Sequence, residues 1–263
     1  MGYLLYFLIA IGATTVGSLT GMGGGVIIKP LMDALHDFDV QTISVLSSIT
    51  VFSMSAVSIG KQLLSKARIP FETAVPLALG SVIGGLAGEQ LLRWIVSALQ
   101  ANSAVTVVQN AVLALLILAV FLYMKNKSRI KGLALRGYAV SLAAGLFLGL
   151  CSSFLGIGGG PINVALIIYL FSLDTKTATI CSLLTIFFAQ ISKLAMVAAS
   201  TGFGVFDLSV MPVMVIGAVA GGFIGASLNK KFKESTVETA FNAVQILVLT
   251  IAILNIAKNL AAA

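Results

Sequence analysis

Residues 18–30 read Ser18-Leu19-Thr20-Gly21-Met22-Gly23-Gly24-Gly25-Val26-Ile27-Ile28-Lys29-Pro30. Residues 153–165 read Ser153-Phe154-Leu155-Gly156-Ile157-Gly158-Gly159-Gly160-Pro161-Ile162-Asn163-Val164-Ala165. Each is an apolar run broken by a Gly-x-Gly-Gly-Gly cluster, and the second follows the first at a shift of 135 residues. At the same shift Asp39, Thr42, Ser47 and Thr50 fall on Asp174, Thr177, Ser182 and Thr185, and Phe71-Glu72 on Phe206-Asp207. After two one-residue slips, Gly80, Gly84, Gly85 and Gly88 match Gly217, Gly221, Gly222 and Gly225. Asn110-Ala111-Val112 matches Asn242-Ala243-Val244 near the end of each half. Matches kept in order along the whole chain point to two homologous halves, 1–124 and 137–263, joined by a basic linker, 125–136.

What surrounds these clusters is hydrocarbon-like. Of 263 residues 59% are hydrophobic and 10% charged, with a mean hydropathy of +1.08. A soluble domain needs about 25% charged residues to wet its surface, so a cytosolic enzyme and a disordered chain are both excluded. The pI near 9.5 rests on sixteen bases against nine acids, too small an excess for a nucleic-acid-binding domain. One His and two Cys, Cys151 and Cys181, supply neither a disulfide framework nor a metal site. Both cysteines read as small buried residues in apolar runs.

A membrane-crossing helix takes about 20 mostly apolar residues. Eight runs meet this: 3–20, 42–60, 73–92, 104–124, 137–155, 177–200, 208–228 and 238–257. The first is not expected to be a signal peptide, because it lacks a basic n-region and leads into glycine. Segments 24–36 and 159–171 are too short to span as straight helices, and each follows a glycine cluster. Irregular backbone of that kind is tolerated at membrane depth only against protein or a water-filled cavity.

Lysine and arginine placement orients the halves, because cytoplasmic loops hold the bases. Loop 125–136 carries Lys125, Lys127, Arg129, Lys131 and Arg136 and no acid, so it is set inside. Inverted halves then place twelve bases inside, in loops 61–72, 125–136, 172–176 and 229–237, against Arg93 and Lys258 outside. Parallel halves give nine against five. The expected fold is an all-α polytopic membrane protein of two inverted-topology repeats, each with a glycine-hinged short helix, broken or re-entrant. Both termini are expected outside.

Helix N-termini present unpaired N–H groups and about half a positive charge. Two short helices opened by glycine, which lets a ligand approach the backbone, would aim such ends at one central cavity. That is an anion-binding arrangement. The candidate anion-binding residues are Gly23, Gly24, Gly25, Lys29, Gly158, Gly159, Gly160, Asn163, Gln190 and Lys193. Lys193 lies within run 177–200, away from the loops, with Gln190 and Ser182 on its helical face. An ionisable group so placed is costly and marks function, unless an acid such as Asp207 neutralises it. Lys29 sits one turn into the first short helix. Asn163 would donate its amide to a ligand or cap the second.

Other polar residues have plainer readings. Ser47, Ser48, Thr50, Thr179, Ser182 and Thr185 are hydroxyls of the kind that bond back to their own helix. Asp39 and Asp174 are expected as N-caps, His36 as a solvated residue of an outer loop, 33–41, and Asn110 and Asn242 as interhelical donors. Gly80, Gly84, Gly88 and their counterparts Gly217, Gly221 and Gly225 form single helix faces that suit close packing. Glu89, Glu72 and Asp207, near span ends, are the only carboxylates placed to relay a proton coupling ion.

The pattern Gly21-Met22-Gly23-Gly24-Gly25 … Pro30, repeated as Leu155-Gly156-Ile157-Gly158-Gly159-Gly160-Pro161 in a doubled hydrophobic chain, resembles the sulfite exporter TauE/SafE family. The resemblance spans essentially the whole chain. It implies a secondary carrier for sulfite, sulfoacetate or other organosulfonates in a cytoplasmic (inner) membrane, without a cofactor. Ala165 stands where the first half has Pro30, so the two short helices need not be equivalent. No glycine cluster is followed by the Lys-Ser or Lys-Thr of a nucleotide-binding loop. The chain has no HExxH and no pair of intramembrane aspartates, so no enzyme is expected. An anion channel or a non-transporting scaffold subunit is the alternative.

Overall fold

A computed structural model of the chain describes residues 2–65, 70–99, 102–127, 129–157 and 159–261. Lys66 and Arg68 of loop 61–72, and Gly158 of the second glycine cluster, lie outside the described residues. Ten helices and no strand occur among the residues described. They are α1 (Gly2–Thr20), α2 (Gly25–Leu35), α3 (Val40–Leu64), α4 (Phe71–Leu99), α5 (Asn102–Lys125), α6 (Tyr138–Phe154), α7 (Pro161–Phe171), α8 (Thr175–Ala199), α9 (Met211–Lys231) and α10 (Glu234–Ala261). The order repeats: α1–α5 correspond to α6–α10, and a shift of 135 lays α3 on α8 to the residue.

Seven of these, α1, α3, α4, α5, α8, α9 and α10, are long and apolar enough to cross a membrane. The run at 137–155 forms α6, whose 17 residues are slightly shorter. The two short segments form α2 and α7, each of 11 residues. At 1.5 Å per residue each rises about 16 Å, half the hydrocarbon thickness. Pro161 opens α7, where a missing N–H costs nothing. Asp39 caps α3 by accepting from the amides of Gln41 and Thr42, and Asp174 caps α8 by accepting from that of Thr177.

Small residues decide the packing. The Gly80/Gly84/Gly88 face lies against the α6 backbone at Leu142, Leu146 and Leu150, so α4 and α6 run in the same direction. The Gly217/Gly221/Gly225 face lies in the same way along α1 at Phe7, Ile11 and Thr15. A Cβ on any of these glycines would press into the partner's backbone, so close approach explains them. Between these pairs, α3 crosses α8 in the opposite direction. Ser44, near the start of α3, meets Lys193, near the end of α8, and Phe52 stacks on Phe187 with centroids 5.2 Å apart.

The loops gather on two faces. Leu133 and Leu135 of the linker donate their amides to Tyr169 and Leu170 at the end of α7, each at 2.8 Å. Lys127 reaches Glu238 at 2.5 Å and Thr175 at 3.1 Å, so the linker, the start of α8 and the start of α10 share one face. On the other face Tyr6 bonds Asp37 and Lys258 donates to the Ala34 carbonyl at 3.2 Å.

Candidate functional site

Each glycine cluster turns the chain from a long helix into a short one. Gly21 (φ +77°), Gly23 (+75°), Gly156 (+64°) and Gly159 (+118°) adopt conformations that L side chains rarely take. Crowding adds to this requirement: a Cβ on Gly21 would sit 2.7 Å from the Thr179 backbone, and one on Gly156 would sit 2.6 Å from Ser44 Oγ. Gly21 and Gly156, like Ser44 and Thr179, are 135 residues apart, so each turn rests on the crossing helix of the opposite half. Ser182 fixes the first turn by donating to the Gly21 carbonyl at 2.6 Å. Ser48, Thr50, Thr179 and Thr185 instead bond back four residues along their own helices.

The two turns touch. Gly25, the first residue of α2, lies against the Ile157 carbonyl so closely that a Cβ would overlap it. Gly24 packs on Thr14, and a Cβ on Gly23 is barred by its φ. Gly159 meets the Ile186 side chain and approaches the Met22 carbonyl. Gly159, Gly160 and Asn163 line an enclosed cavity of about 10 Å³ with Cys151 and Ser152, near the size of one water. Both polar atoms of the Asn163 amide are buried without a hydrogen-bond partner. Gln190 approaches the same place, donating to Ser152 Oγ at 3.4 Å, while its own carbonyl oxygen is unbonded.

Beside the second turn lies a cluster of buried charge. Lys193 and Lys29 are 1% and 2% exposed, and Glu89 and Asp33 are 6% and 4% exposed. Lys29 Nζ stands 3.0 Å from both Asp33 oxygens, and Asn110 donates to Asp33 Oδ2 at 3.3 Å. Lys193 Nζ donates to Ser44 Oγ at 2.5 Å and stands 3.6 Å from Glu89 Oε2. The other Glu89 oxygen accepts from Arg93 Nε at 3.2 Å. Gly156 joins the two pairs, since a Cβ there would meet both Ser44 and the Lys29 stem at Cδ, 3.2 Å away. Charges withdrawn from water in this way persist only when paired. The four buried charges balance, and Arg93, 22% exposed at the edge of the cluster, adds one positive charge. A small pocket of about 30 Å³, lined by Gln41, Ser44, Glu89, Arg93, Thr201 and Phe206, joins the cluster to the α8–α9 loop.

Lys29 and Lys193, both expected at the site, are therefore brought together, but each with a carboxylate. The partner of Lys193 is Glu89 rather than Asp207, which lies in the α8–α9 loop and accepts from the Ser209 amide at 3.0 Å. Asp33, expected in a loop, is the ninth residue of α2 and is buried. Its position four residues after Lys29, one helical turn, is the signal that identifies the pair. Lys193 also lies nearer the end of its helix than expected, six residues before Ala199. Asn110 bridges helices as anticipated, whereas Asn242 accepts from Gln245 of its own helix.

Membrane-spanning helices around short helices that begin at glycine turns, with ion pairs buried beside them, define a multi-pass membrane transporter. The chain belongs to the sulfite exporter TauE/SafE family, whose description matches residues 6–253. It is similar to the Probable membrane transporter protein YunE of Bacillus subtilis (strain 168), with 24% identity over 94% of this chain and 96% of that one. No solved structure matches.

Proposed function

We propose that this transporter is a secondary carrier of a small sulfur oxyanion, such as sulfite, sulfoacetate or another organosulfonate, working by alternating access. The anion binds at Lys193 Nζ, beside Ser44 and the second glycine turn at Gly156. The observation that carries this reading is the buried Lys193 ammonium, bonded to Ser44 and only loosely paired with Glu89 beside the second glycine turn. A sulfonate spreads its charge over three oxygens, which suits an ammonium, a hydroxyl and amides arranged around it. The first glycine cluster, Gly23–Gly25, supports the second turn by direct contact in this conformation.

The two halves act as inverted repeats that exchange packings. Antiparallel crossing of α3 and α8, corresponding helices at a shift of 135, supports inversion. The face formed by the linker, the α7–α8 turn and the start of α10 carries most of the bases, so it is the cytoplasmic one; the termini are then outside, in a cytoplasmic membrane. The test is counterflow in proteoliposomes with sulfite, sulfoacetate and methanesulfonate. A carrier accumulates labelled anion against an unlabelled pool and saturates. Absence of saturable counterflow with all three removes the carrier reading.

A further inference from the structure

Charge accounting at Lys193 extends the proposed reading, on which the following step rests. Lys193 Nζ has one short bond, to Ser44 Oγ at 2.5 Å, and a more distant contact with the Ser44 carbonyl at 3.5 Å. Glu89 Oε2 stands 3.6 Å away, beyond hydrogen-bond length, and is buried without any hydrogen-bond partner. An ion pair left this loose within protein is poor compensation for the desolvation of its two charges. It is also an arrangement in which another anion can take the carboxylate's place. Glu89 lines the pocket that runs toward Gln41, Thr201 and Phe206, so a proton can reach it from that face.

The charges facing Glu89 are few. Arg93 lies on its own helix and Lys193 on α8, with the Lys29–Asp33 pair of α2 behind Lys193. From α3 the neutral Ser44 lines its pocket, from α6 the neutral Ser153 packs on the neighbouring Gly88, and α5 carries no charge before Lys125 at its far end. Cys151 of α6 faces the separate cavity at Gly159. With Glu89 ionised and no substrate, Lys193, Arg93 and Glu89 sum to one positive charge. A monovalent anion admitted to Lys193 would cancel that charge and stand against an ionised carboxylate. If Glu89 binds a proton on Oε2 as the anion arrives, the sum stays at one positive charge. The loaded and empty sites then carry the same charge across the hydrocarbon, and the bound anion does not stand against an ionised carboxylate.

We infer that Glu89 is the proton-carrying group of this transporter, taking up one proton for each monovalent anion bound at Lys193, so that net transport is electroneutral anion–proton symport. The closing experiment measures net uptake of methanesulfonate, and of sulfite in mild acid where it is the hydrogensulfite monoanion, by the full chain in proteoliposomes under a valinomycin-imposed potassium potential. Wild-type uptake should be unmoved by the potential. In Glu89→Gln, which cannot take the proton, one negative charge moves per turnover. Its steady accumulation should follow the potential by about tenfold for each 59 mV. Wild-type uptake that follows the potential overturns the inference while leaving the carrier reading intact. So does a Glu89→Gln protein that stays insensitive to potential, or a monodisperse one that neither takes up nor exchanges anion. Should Glu89→Gln fail to fold, Glu89→Asp replaces it; this variant keeps a carboxylate and should stay insensitive to potential, and sensitivity there counts against the inference. If wild type shows no saturable uptake or counterflow of either probe, the carrier reading itself fails.

Discussion

Lys193 and Glu89 illustrate what burial does to a single charged residue. Each is held in a place where, alone, it would be an uncompensated ion. Removing the lysine as Lys193→Ala leaves the carboxylate with Arg93 only and is expected to cost about 3–5 kcal/mol of stability. Pairing that change with Glu89→Gln should recover part of the loss, with a coupling of about 0.5–3 kcal/mol in a double-mutant cycle read by thermal unfolding in detergent. Full additivity of the two losses would mean that the 3.6 Å contact does not couple them. On the proposed function, Lys193→Arg keeps the charge and the fold but loses saturable anion flux, because a planar guanidinium cannot replace a compact ammonium beside Ser44.

At the scale of the element, helix ends and helix faces account for the sequence pattern. Burial works to raise the Asp174 carboxyl, but hydrogen bonds from Thr177 and the amides of Thr177 and Lys176 outweigh it and hold it below the ordinary aspartate value. A group depressed in the folded state contributes stability above its unfolded value, and loses that contribution as pH falls through the folded value. Asp174→Ala should therefore cost about 1 kcal/mol at neutral pH and progressively less in acid. Asp174→Asn still caps, so it should flatten the acid limb of the melting-temperature profile without a comparable neutral loss. The glycine faces give a second expectation. Gly84→Val drives a side chain into the Leu146 carbonyl and should destabilise by about 1–3 kcal/mol or more through overpacking. Gly60→Ala, with open space around its Cβ position, should be neutral or stabilising by up to about 1 kcal/mol in the same assay.

For the whole molecule, the proposed inversion makes a topological prediction. With Gly204→Cys and Lys231→Cys introduced singly, an impermeant thiol reagent added outside should label position 204 and spare position 231. Labelling of 231 and not 204, with the linker 125–136 inside, would remove the inversion. The fold depends on reciprocal packing between the halves: α1 lies along α9, and α4 along α6. Neither half buries its glycine face without the other, so separately expressed halves should not give a monodisperse protein, whereas co-expressed halves should.

Much of this was determined by the chain itself. Hydrophobic runs set by membrane thickness marked the helices, and the shift of 135 residues marked the halves. Glycine spacing marked the faces α4 and α9 turn to their neighbours, because a four-residue period has a direct meaning on a helix. Asp39 and Asp174 were legible as caps for the same reason: capping acts over three residues. Contacts between distant segments were not legible. Nothing local to Glu89 says that Lys193 lies beside it, more than a hundred residues on, and nothing local to Gly156 says that Ser44 and the Lys29 stem press against it. Asp33 stood one helical turn from Lys29, yet only the extent of α2 shows that both point inward. Short-range periodicity is written along the chain, whereas the neutralisation of a buried ion depends on which helices cross, and that is decided only when all ten pack together.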